Sequence, residues 1–271
     1  MKKNFRIIPR LEIKTKFLVK GMRMDGLKKI GDPSNFSKNY FEELADEIFY
    51  DDIVASLYNR KIDINLIKDI SSAIQIPLTV SGKIKNINDI YKIFRSGGDK
   101  VSINTYALKK PKFLSDATKV FGSQSICVHM QFKKIEEYTY EVFSESGRER
   151  TRTNLLDWVK ETQDRGVGEI YLFSIDNDGV SEDIDYSILE KVRKICKVPL
   201  LYGGGVRSQN IINKIIDLEL DGACISYALH NKKIFIPEIK KNLKNPIRRY
   251  INSWKKKLEL LIIIQEIREL F

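Results

Sequence analysis

Short apolar runs rich in Val, Ile and Phe alternate along the chain with longer segments whose apolar residues recur every three to four positions. The first pattern predicts buried β-strands and the second predicts amphipathic helices. Eight strands are expected, at Arg6–Ile13, Glu47–Ile53, Leu78–Val80, Lys100–Ile103, Ser125–Phe132, Glu169–Ser174, Leu200–Tyr202 and Gly222–Ser226. Helices are expected between them, including Ile64–Ile74, Ile87–Ser96, Leu155–Arg165, Tyr186–Cys196 and Ser208–Leu218. Such alternation is typical of parallel strands joined by helical crossovers.

Polar residues mark the ends of these elements. Asn86 and Ser208 are suitable N-caps, and Pro111 suits the first turn of a helix. The charged segment 133–152 predicts an excursion after the fifth strand. Beyond Pro246 the pattern becomes basic and then aliphatic, which predicts a C-terminal amphipathic helical tail over residues 246–271. That tail could pack on the main domain, bind a partner or lie on a membrane surface.

The chain also repeats itself. The segment Ile76–Ile84 resembles Val198–Val206, so that Gly82 matches Gly204 with an offset of 122 residues. Eight strand–helix units with a two-fold repeat predict one (βα)8 barrel over residues 1–245, an α/β fold with its active site at the carboxyl ends of the strands.

Composition narrows the class of protein. Among 271 residues the net charge is +11, which fits either solvated lysine-rich surfaces or attraction of phosphorylated substrates. No nucleic-acid-binding motif accompanies the charge, and we expect no nucleic-acid partner. Three cysteines without a CxxC pair, no signal peptide and no apolar run of about 18–20 residues predict a cytoplasmic protein without a transmembrane segment. Only two histidines are present, so neither a metal site nor a cofactor is expected.

Two glycine turns follow predicted strands at repeat-equivalent positions, where backbone N–H groups could approach phosphate oxygens. The first comprises Ser81-Gly82-Lys83, with Asn104 and Thr105 nearby. The second comprises Gly203, Gly204 and Gly205, with Asp178, Gly179, Ser226 and Tyr227. A substrate with an anionic group at each end could span the barrel mouth between them.

The first and fifth strands offer candidate acid–base groups. Strand alternation places Arg10 and Glu12 on one face of the first strand, and His129 and Gln131 on one face of the fifth. Glu12 and Gln131 are repeat-equivalent and would face each other across the mouth. Glu12 could alternatively be a rim carboxylate that is solvated or paired with Arg10, and an inward Arg10 would hold it ionised. His129 is expected to be a hydrogen-bonded interior residue rather than a catalyst.

Several motifs together resemble the cyclase subunit of imidazole glycerol phosphate synthase, collinearly from about Phe5 to Leu243. They are Arg6-Ile-Ile-Pro, Leu11-Glu-Ile-Lys14, Leu18-Val-Lys-Gly21, Gly31-Asp-Pro33, Asp52-Ile-Val-Ala-Ser56, Asp99-Lys-Val-Ser-Ile-Asn-Thr105, Phe121-Gly-Ser-Gln124, Gly168-Glu-Ile170 and Ser174-Ile-Asp-Asn-Asp-Gly179. The resemblance implies a (βα)8 barrel that receives ammonia from a glutaminase partner and adds it to a bis-phosphorylated, sugar-derived substrate.

The resemblance also assigns residues to the barrel floor. The family has a charged ring there that gates ammonia, and the matching residues are Arg6, Glu47, Lys100 and Glu169. Asp99 matches a position that faces the glutaminase. The alternative is a purely structural layer of salt bridges.

At the mouth the chain departs from the family. The family uses an aspartate on the first strand and another on the fifth as general acid and base, and here these positions hold Glu12 and Gln131. A glutamine cannot exchange a proton at useful pH, so acid–base work at that position is lost. Other departures are Arg10, Lys83, Tyr202 and Tyr227, although Lys83 could itself bind an anion. Retained residues of the mouth are Lys20, Asp52, Asn104, Thr105, Asp178, Gly179 and Gly205.

An intact floor below an altered mouth leaves three hypotheses. We favour a diverged subunit that delivers ammonia to a phosphorylated, nucleotide-linked or lipid-linked sugar. It would convert an acetamido to an acetamidino group in surface-polysaccharide biosynthesis. An ATP-dependent ligase subunit would be a further partner. The second is the cyclase of histidine biosynthesis, with Glu12 working alone. The third is a non-catalytic scaffold that docks and activates a glutaminase.

Overall fold

The computed structural model describes residues 5–180 and 183–243, so the predicted tail at 246–271 lies outside the described residues. The strands are β1 (Arg6–Lys14), β2 (Phe17–Met22), β3 (Asp25–Gly31), β4 (Ile48–Asp52), β5 (Leu78–Ser81), β6 (Lys100–Ile103), β7 (Ile126–Glu136), β8 (Thr139–Ser144), β9 (Glu149–Asn154), β10 (Glu169–Ser174), β11 (Leu200–Gly203) and β12 (Gly222–Ile225). The helices are α1 (Pro33–Glu42), α2 (Ile64–Ala73), α3 (Ile87–Arg95), α4 (Thr105–Lys109), α5 (Lys112–Phe121), α6 (Leu155–Asp164), α7 (Tyr186–Ile195), α8 (Gln209–Asp217), α9 (Tyr227–His230) and α10 (Ile236–Asn242).

Eight parallel strands close into a barrel. Their order around it is β1, β4, β5, β6, β7, β10, β11 and β12, and β12 pairs again with β1. These are the eight strands that the apolar runs predict, so the (βα)8 fold is confirmed. The N-caps are also confirmed, because the Asn86 side chain accepts from Asp89 N at 2.9 Å and Ser208 Oγ accepts from Ile211 N at 3.4 Å.

Four further strands were not predicted individually. The antiparallel pair β2–β3 extends from β1, and the antiparallel pair β8–β9 extends from β7. β3 and β9 have no buried face, so they lack the apolar alternation by which a strand is predicted. The segment 133–152, expected as an excursion, is the end of β7 followed by β8 and most of β9. Each half of the barrel therefore carries the same kind of antiparallel extension on its first strand.

Matched hydrogen bonds also show the internal repeat. Asp99 Oδ2 accepts from Leu78 N at 2.8 Å, and the repeat-equivalent Asp221 Oδ2 accepts from Leu200 N at 2.9 Å. Each bond fastens the loop before one barrel strand to the start of the preceding strand. The two halves therefore share tertiary contacts as well as sequence.

Two apolar layers hold the barrel together. The larger lies between strands and helices, and includes Ile67, Leu114 and Leu189. The smaller fills the interior with inward-facing side chains such as Phe49 and Tyr171. The interior is therefore packed, as in other closed eight-stranded barrels.

Three other sequence expectations concern the described residues. Cys127, Cys196 and Cys224, which contain no CxxC pair, are free and buried. Across residues 5–180 and 183–243, no helix has the length and apolar character needed to cross a bilayer. Within the same ranges, no group of three His, Cys, Asp or Glu side chains could hold a metal ion.

Candidate functional site

A closed ring of alternating charges lies at the amino-terminal end of the barrel strands. Arg6 Nη1 lies 2.9 Å from Glu47 Oε2, and Arg6 Nη2 bonds to Glu169. Lys100 Nζ lies 2.8 Å from Glu47 Oε1 and 2.8 Å from Glu169 Oε2. Burial opposes ionisation of Glu169, but Lys100 and Arg6 outweigh it and hold the pKa of that carboxyl below its usual range. The structure thus joins the four predicted residues in one contact set, hereafter the floor ring.

Asp99 lies at the same end of the barrel, one residue before the β6 strand that begins with Lys100. Its side chain is exposed, while its carboxylate also accepts the Leu78 N–H described above. This position is compatible with contact to a partner, and it gives Asp99 a structural role within the chain.

A second set of buried charges lies at the opposite end, where β1 ends. Lys20 Nζ lies 2.8 Å and 2.9 Å from the two Glu12 oxygens and 2.6 Å from Asp178 Oδ1. Lys20 is on β2, which returns antiparallel to β1 and so carries the ammonium over the mouth. Asp178 follows β10, and its other oxygen accepts from Met24 N at 3.0 Å. The unpredicted β2–β3 hairpin is therefore what places Lys20.

Arg10 contacts this set of charges from the side of the floor ring. Its Nη1 lies 2.6 Å from Glu12 Oε1, and its Nε and Nη2 donate to Asp51 Oδ2 at 3.1 Å and 2.7 Å. The guanidinium carbon lies 4.0 Å from the centre of the Phe173 ring, and Arg10 is fully buried. Burial raises the pKa of Asp51, but Arg10 and His129 reverse this, and the net direction is downward. We call Arg10, Glu12, Asp51, Lys20 and Asp178 the mouth cluster.

Asp51 is the residue that sequence reasoning missed. A signal for it exists, since an arginine on the inward face of a barrel strand requires a buried carboxylate nearby. The neighbouring Asp52, which was predicted, points elsewhere and bonds to Arg60.

The candidate acid and its repeat-equivalent have different surroundings. Burial raises the pKa of Glu12, and the opposing effects of Lys20 and Arg10 do not fully cancel it. Glu12 is fully buried and so is not solvated, whereas the expected pairing with Arg10 is present at 2.6 Å. Gln131 is also buried, and its Oε1 accepts from Asn104 Nδ2 at 3.2 Å. Of this repeat-equivalent pair, only Glu12 is therefore a titratable group.

The second glycine turn lines a small cavity of about 80 Å³. Six predicted residues meet there, namely Asp178, Gly179, Gly204, Gly205, Ser226 and Tyr227. Arg207 and Lys233, which were not singled out from the sequence, supply positive charge to the same lining. Glycine turns and cations at the carboxyl ends of barrel strands suit a phosphate or other small anion.

Gly203 and Gly204 have different roles. Gly203 is in β11, and a Cβ there would collide with the Tyr171 hydroxyl inside the barrel. Gly204 adopts φ +89°, and a Cβ there would collide with the Ser174 backbone. Gly203 therefore makes room for an interior side chain, and Gly204 shapes the cavity of about 80 Å³ described above.

Replacing Gly204 with alanine should lower the free energy of unfolding by about 2–4 kcal/mol, because backbone strain and overpacking act together. Gly26→Ala is the control, since Gly26 also has positive φ, +62°, but a Cβ there meets nothing within 4 Å. That control should lose only about 1–2 kcal/mol. Denaturant unfolding measures both, and equal losses would contradict the assignment of a backbone collision.

The first glycine turn has other neighbours. Lys83 Nζ donates to the Asn59 carbonyl at 2.7 Å, and Thr105 Oγ1 accepts from Glu145 N at 3.0 Å. Asn104 Nδ2 donates to the Phe143 carbonyl at 3.0 Å as well as to Gln131. The predicted polar groups thus have protein partners, while the Lys83 ammonium and the Thr105 hydroxyl keep further donor hydrogens.

Asp52 has a shifted pKa. It is buried at the end of β4, and its Oδ1 lies 3.1 Å from Arg60 Nη2 and 3.3 Å from Val54 N. Burial raises its pKa to about 6, although Arg60 opposes the shift. The folded protein therefore holds this proton more tightly than the unfolded chain does.

That shift makes stability depend on pH. The contribution of the protonated Asp52 carboxyl to the free energy of unfolding is fully present below about pH 4, and it is lost as pH rises through about 6. Between pH 4 and 7 the wild type should lose about 2 kcal/mol of unfolding free energy relative to Asp52→Asn, which cannot titrate. Denaturant unfolding of both proteins at each pH measures this loss. A difference in unfolding free energy that stays constant with pH would show that burial does not raise the pKa of Asp52.

Comparisons with known proteins give the family. The model of a family described as histidine biosynthesis protein matches residues 6–235. The imidazole glycerol phosphate synthase subunit HisF of Bacillus pumilus is 39% identical over 241 residues, covering 88% of this chain and 96% of that subunit. The subunit of the same name from Sulfolobus acidocaldarius is 40% identical over 238 residues, with coverage of 88% and 95%. The chain therefore belongs to the HisF-like family of histidine biosynthesis proteins.

Proposed function

We propose that this chain is the synthase subunit of a glutamine-dependent amidotransferase, and that it takes ammonia from a glutaminase docked against the floor ring. The observation that carries the proposal is the closure of that ring, in which two cations each bridge Glu47 and Glu169. At neutral pH free ammonia is mostly the ammonium ion, which is not nucleophilic. A route shielded from water by the barrel wall keeps the reactive neutral form.

For the acceptor, we propose the bis-phosphorylated substrate of imidazole glycerol phosphate synthase. The names of the relatives favour this reaction, and they favour it over sugar amidation, which the sequence alone led us to prefer. The anion cavity beside Gly204 and Gly205 would hold one phosphate. Glu12, with Lys20 at 2.8 Å, would exchange protons during ring closure, a task usually worth about 10²–10⁴ in rate.

Turnover of that substrate with ammonium chloride tests the acceptor, and rescue of a histidine auxotroph tests it in cells. The expected result is imidazole product from the purified chain and growth without histidine. A chain that binds and stimulates a glutaminase but forms no imidazole product would keep the synthase role and exclude this acceptor.

A second candidate function is amidation of a nucleotide-linked or lipid-linked sugar, with an ATP-dependent ligase subunit as partner. The observation that favours it is the mouth cluster, in which Arg10 and Asp51 occupy the barrel centre and Gln131 replaces an acid. Gln131→Asp separates the candidates. If the histidine-pathway reaction is the native one or its recent ancestor, the variant should turn over the bis-phosphorylated substrate faster than the wild type. A variant with no such activity would favour a different acceptor.

A further inference from the structure

Arg10 links two carboxylates that belong to neighbouring strands. Glu12 on β1 and Asp51 on β4 are register partners, so their side chains lie side by side inside the barrel. Two neighbouring carboxylates repel each other, and burial removes the water that would screen them. The Arg10 guanidinium offsets this repulsion. Its Nη1 contacts Glu12 Oε1 at 2.6 Å, and its Nε and Nη2 contact Asp51 Oδ2 at 3.1 Å and 2.7 Å.

The guanidinium of Arg10 is held in one orientation. Both bonds to Asp51 use one side of its planar fork, and the centre of the Phe173 ring lies 4.0 Å from the guanidinium carbon. Arg10, Glu12 and Asp51 are at most 3% exposed. A buried arginine that is fixed in this way presents one nitrogen, Nη1, to Glu12 in a defined position.

The two oxygens of Glu12 differ as a result. Oε1 receives both Arg10 Nη1 at 2.6 Å and Lys20 Nζ at 2.8 Å. Among the described residues, Oε2 contacts only Lys20 Nζ, at 2.9 Å, so it keeps more unused acceptor capacity than Oε1. Oε1 is thus the anchored oxygen, and Oε2 is the oxygen that can accept a proton.

His129 also faces this pair, but it does not compete with Arg10. Its Nδ1 lies 3.9 Å from Asp51 Oδ2, which is too far for a hydrogen bond. Burial lowers the pKa of His129 to about 3, so its ring is uncharged near neutral pH. The expectation of an interior histidine is confirmed, but within residues 5–180 and 183–243 its Nε2 meets no hydrogen-bond partner.

Other ionisable groups surround Glu12 and Arg10, namely Lys20, Asp178, Tyr171 and His230. Burial raises the pKa of Tyr171 and lowers that of His230 to about 3, so both are uncharged near neutral pH. Within the part of the chain that the structure describes, the cations that contact the Glu12 carboxylate are therefore Arg10 and Lys20. A cation at 2.6 Å favours the ionised carboxylate, so losing Arg10 makes Glu12 hold its proton to higher pH.

We propose that Arg10 and Asp51 are positioning residues for Glu12, in which Asp51 orients Arg10, Arg10 anchors Oε1, and Oε2 is left to exchange protons with the substrate. The proposal rests on the proposed function, in which Glu12 performs that exchange. Neither positioning residue needs to touch the substrate, because both act through Glu12. A carboxylate that loses its anchor spends less time in the productive geometry, and synthesis slows.

The test replaces both members of the pair, in Arg10→Met/Asp51→Leu. This variant leaves neither ion unpaired, and apolar residues of similar size are often tolerated at a buried ion pair. With ammonium chloride as nitrogen source, the bis-phosphorylated substrate should react about tenfold more slowly, with its KM within about twofold. The limb of the pH–rate profile that reports Glu12 should move to higher pH by about one unit.

Two further measurements separate positioning from a merely structural role. Added to Glu12→Gln, the pair substitution should cost no more than about twofold in rate, because its effect passes through the carboxylate. Carboxyl-carbon NMR of glutamate-labelled protein needs no substrate, and the resonance of Glu12 is identified by its absence in Glu12→Gln. The pKa of Glu12 should be about one unit higher in the pair variant than in the wild type.

Arg165→Met/Glu161→Leu is the matched control. Its arginine uses the same two nitrogens, with Nε at 3.1 Å and Nη2 at 2.7 Å from one carboxylate oxygen. The pair lies at the end of α6, before β10 begins, and so at the end of the barrel away from the mouth. This control should keep the rate and the pH profile of the wild type.

An unchanged pKa of Glu12, or an equal loss of rate with and without Glu12→Gln, would overturn the proposal. So would a raised pKa with an unchanged rate. If the pair variant does not fold, Arg10→Lys decides, since it keeps the charge and loses the fork. It should slow synthesis and leave the pH limb in place, and a full rate would contradict positioning. If the wild type forms no imidazole product, the proposed acceptor fails, and the NMR titration still decides whether Arg10 controls Glu12.

Discussion

Replacing Glu12 with glutamine is expected to reduce synthesis by about 10²–10⁴-fold, because the amide keeps the shape of the side chain and cannot exchange a proton. Glu12 is the carboxylate that both Lys20 and Arg10 contact, at 2.8 Å and 2.6 Å. Its burial raises its pKa, so that it can hold a proton nearer to neutral pH than an exposed glutamate. Steady-state turnover with ammonium chloride measures the loss directly.

The same substitution removes a buried anion from between two cations, and it should also cost about 3 kcal/mol of stability. Thermal unfolding must therefore accompany the assay, so that the rate refers to folded protein. Glu12→Asp is the control, since it keeps a titratable carboxylate and should retain more activity than Glu12→Gln. Stimulation of the glutaminase should survive in both variants. Full synthesis by Glu12→Gln would show that Glu12 has a structural role and that synthesis does not depend on proton exchange at this position.

Replacing Lys100 with methionine should disrupt the floor ring. Lys100 bridges Glu47 and Glu169, which are 2% and 6% exposed. Its loss leaves Arg6 as the cation that contacts both buried carboxylates. Removing one partner of a buried ion pair typically costs 3–5 kcal/mol, and about 3 kcal/mol is expected here because Lys100 is partly exposed. With the ring open, less of the ammonia released from glutamine should reach product.

Lys112→Met is the matched control for that prediction. Lys112 forms an ion pair with Asp116 at 2.7 Å, but its side chain is 81% exposed, so the substitution should change stability by at most about 1 kcal/mol. Denaturant unfolding compares the two variants, and product formed per glutamine compares the two complexes. If Lys100→Met is destabilised but forms as much product per glutamine as the wild type, the floor ring is a purely structural layer of salt bridges. The sequence left that alternative open.

Some parts of the site could be predicted because they depend on local patterns. Glycine turns after apolar runs indicated Gly204 and Gly205, and both line the anion cavity. Other parts could not. The separation between Arg10 and Asp51 is 41 residues, and that between Lys20 and Asp178 is 158 residues, so no local pattern links either pair. The position of Lys83 in a turn suggested that it binds an anion, yet its ammonium group donates to the backbone carbonyl of Asn59.

The sequence by itself determined the eight barrel strands and the two-fold repeat, because strand and helix periodicities are local patterns, whereas the residues of the floor ring followed from the family resemblance. Only the tertiary structure decided how the buried charges pair. Hairpin β2–β3 carries Lys20 over the mouth, and the parallel pairing of β1 with β4 brings Asp51 to Arg10. It also left His129 and Tyr171 stacked with their polar tips unbonded within the described residues. These outcomes depend on which strands become neighbours, a property of the closed barrel that no single segment contains.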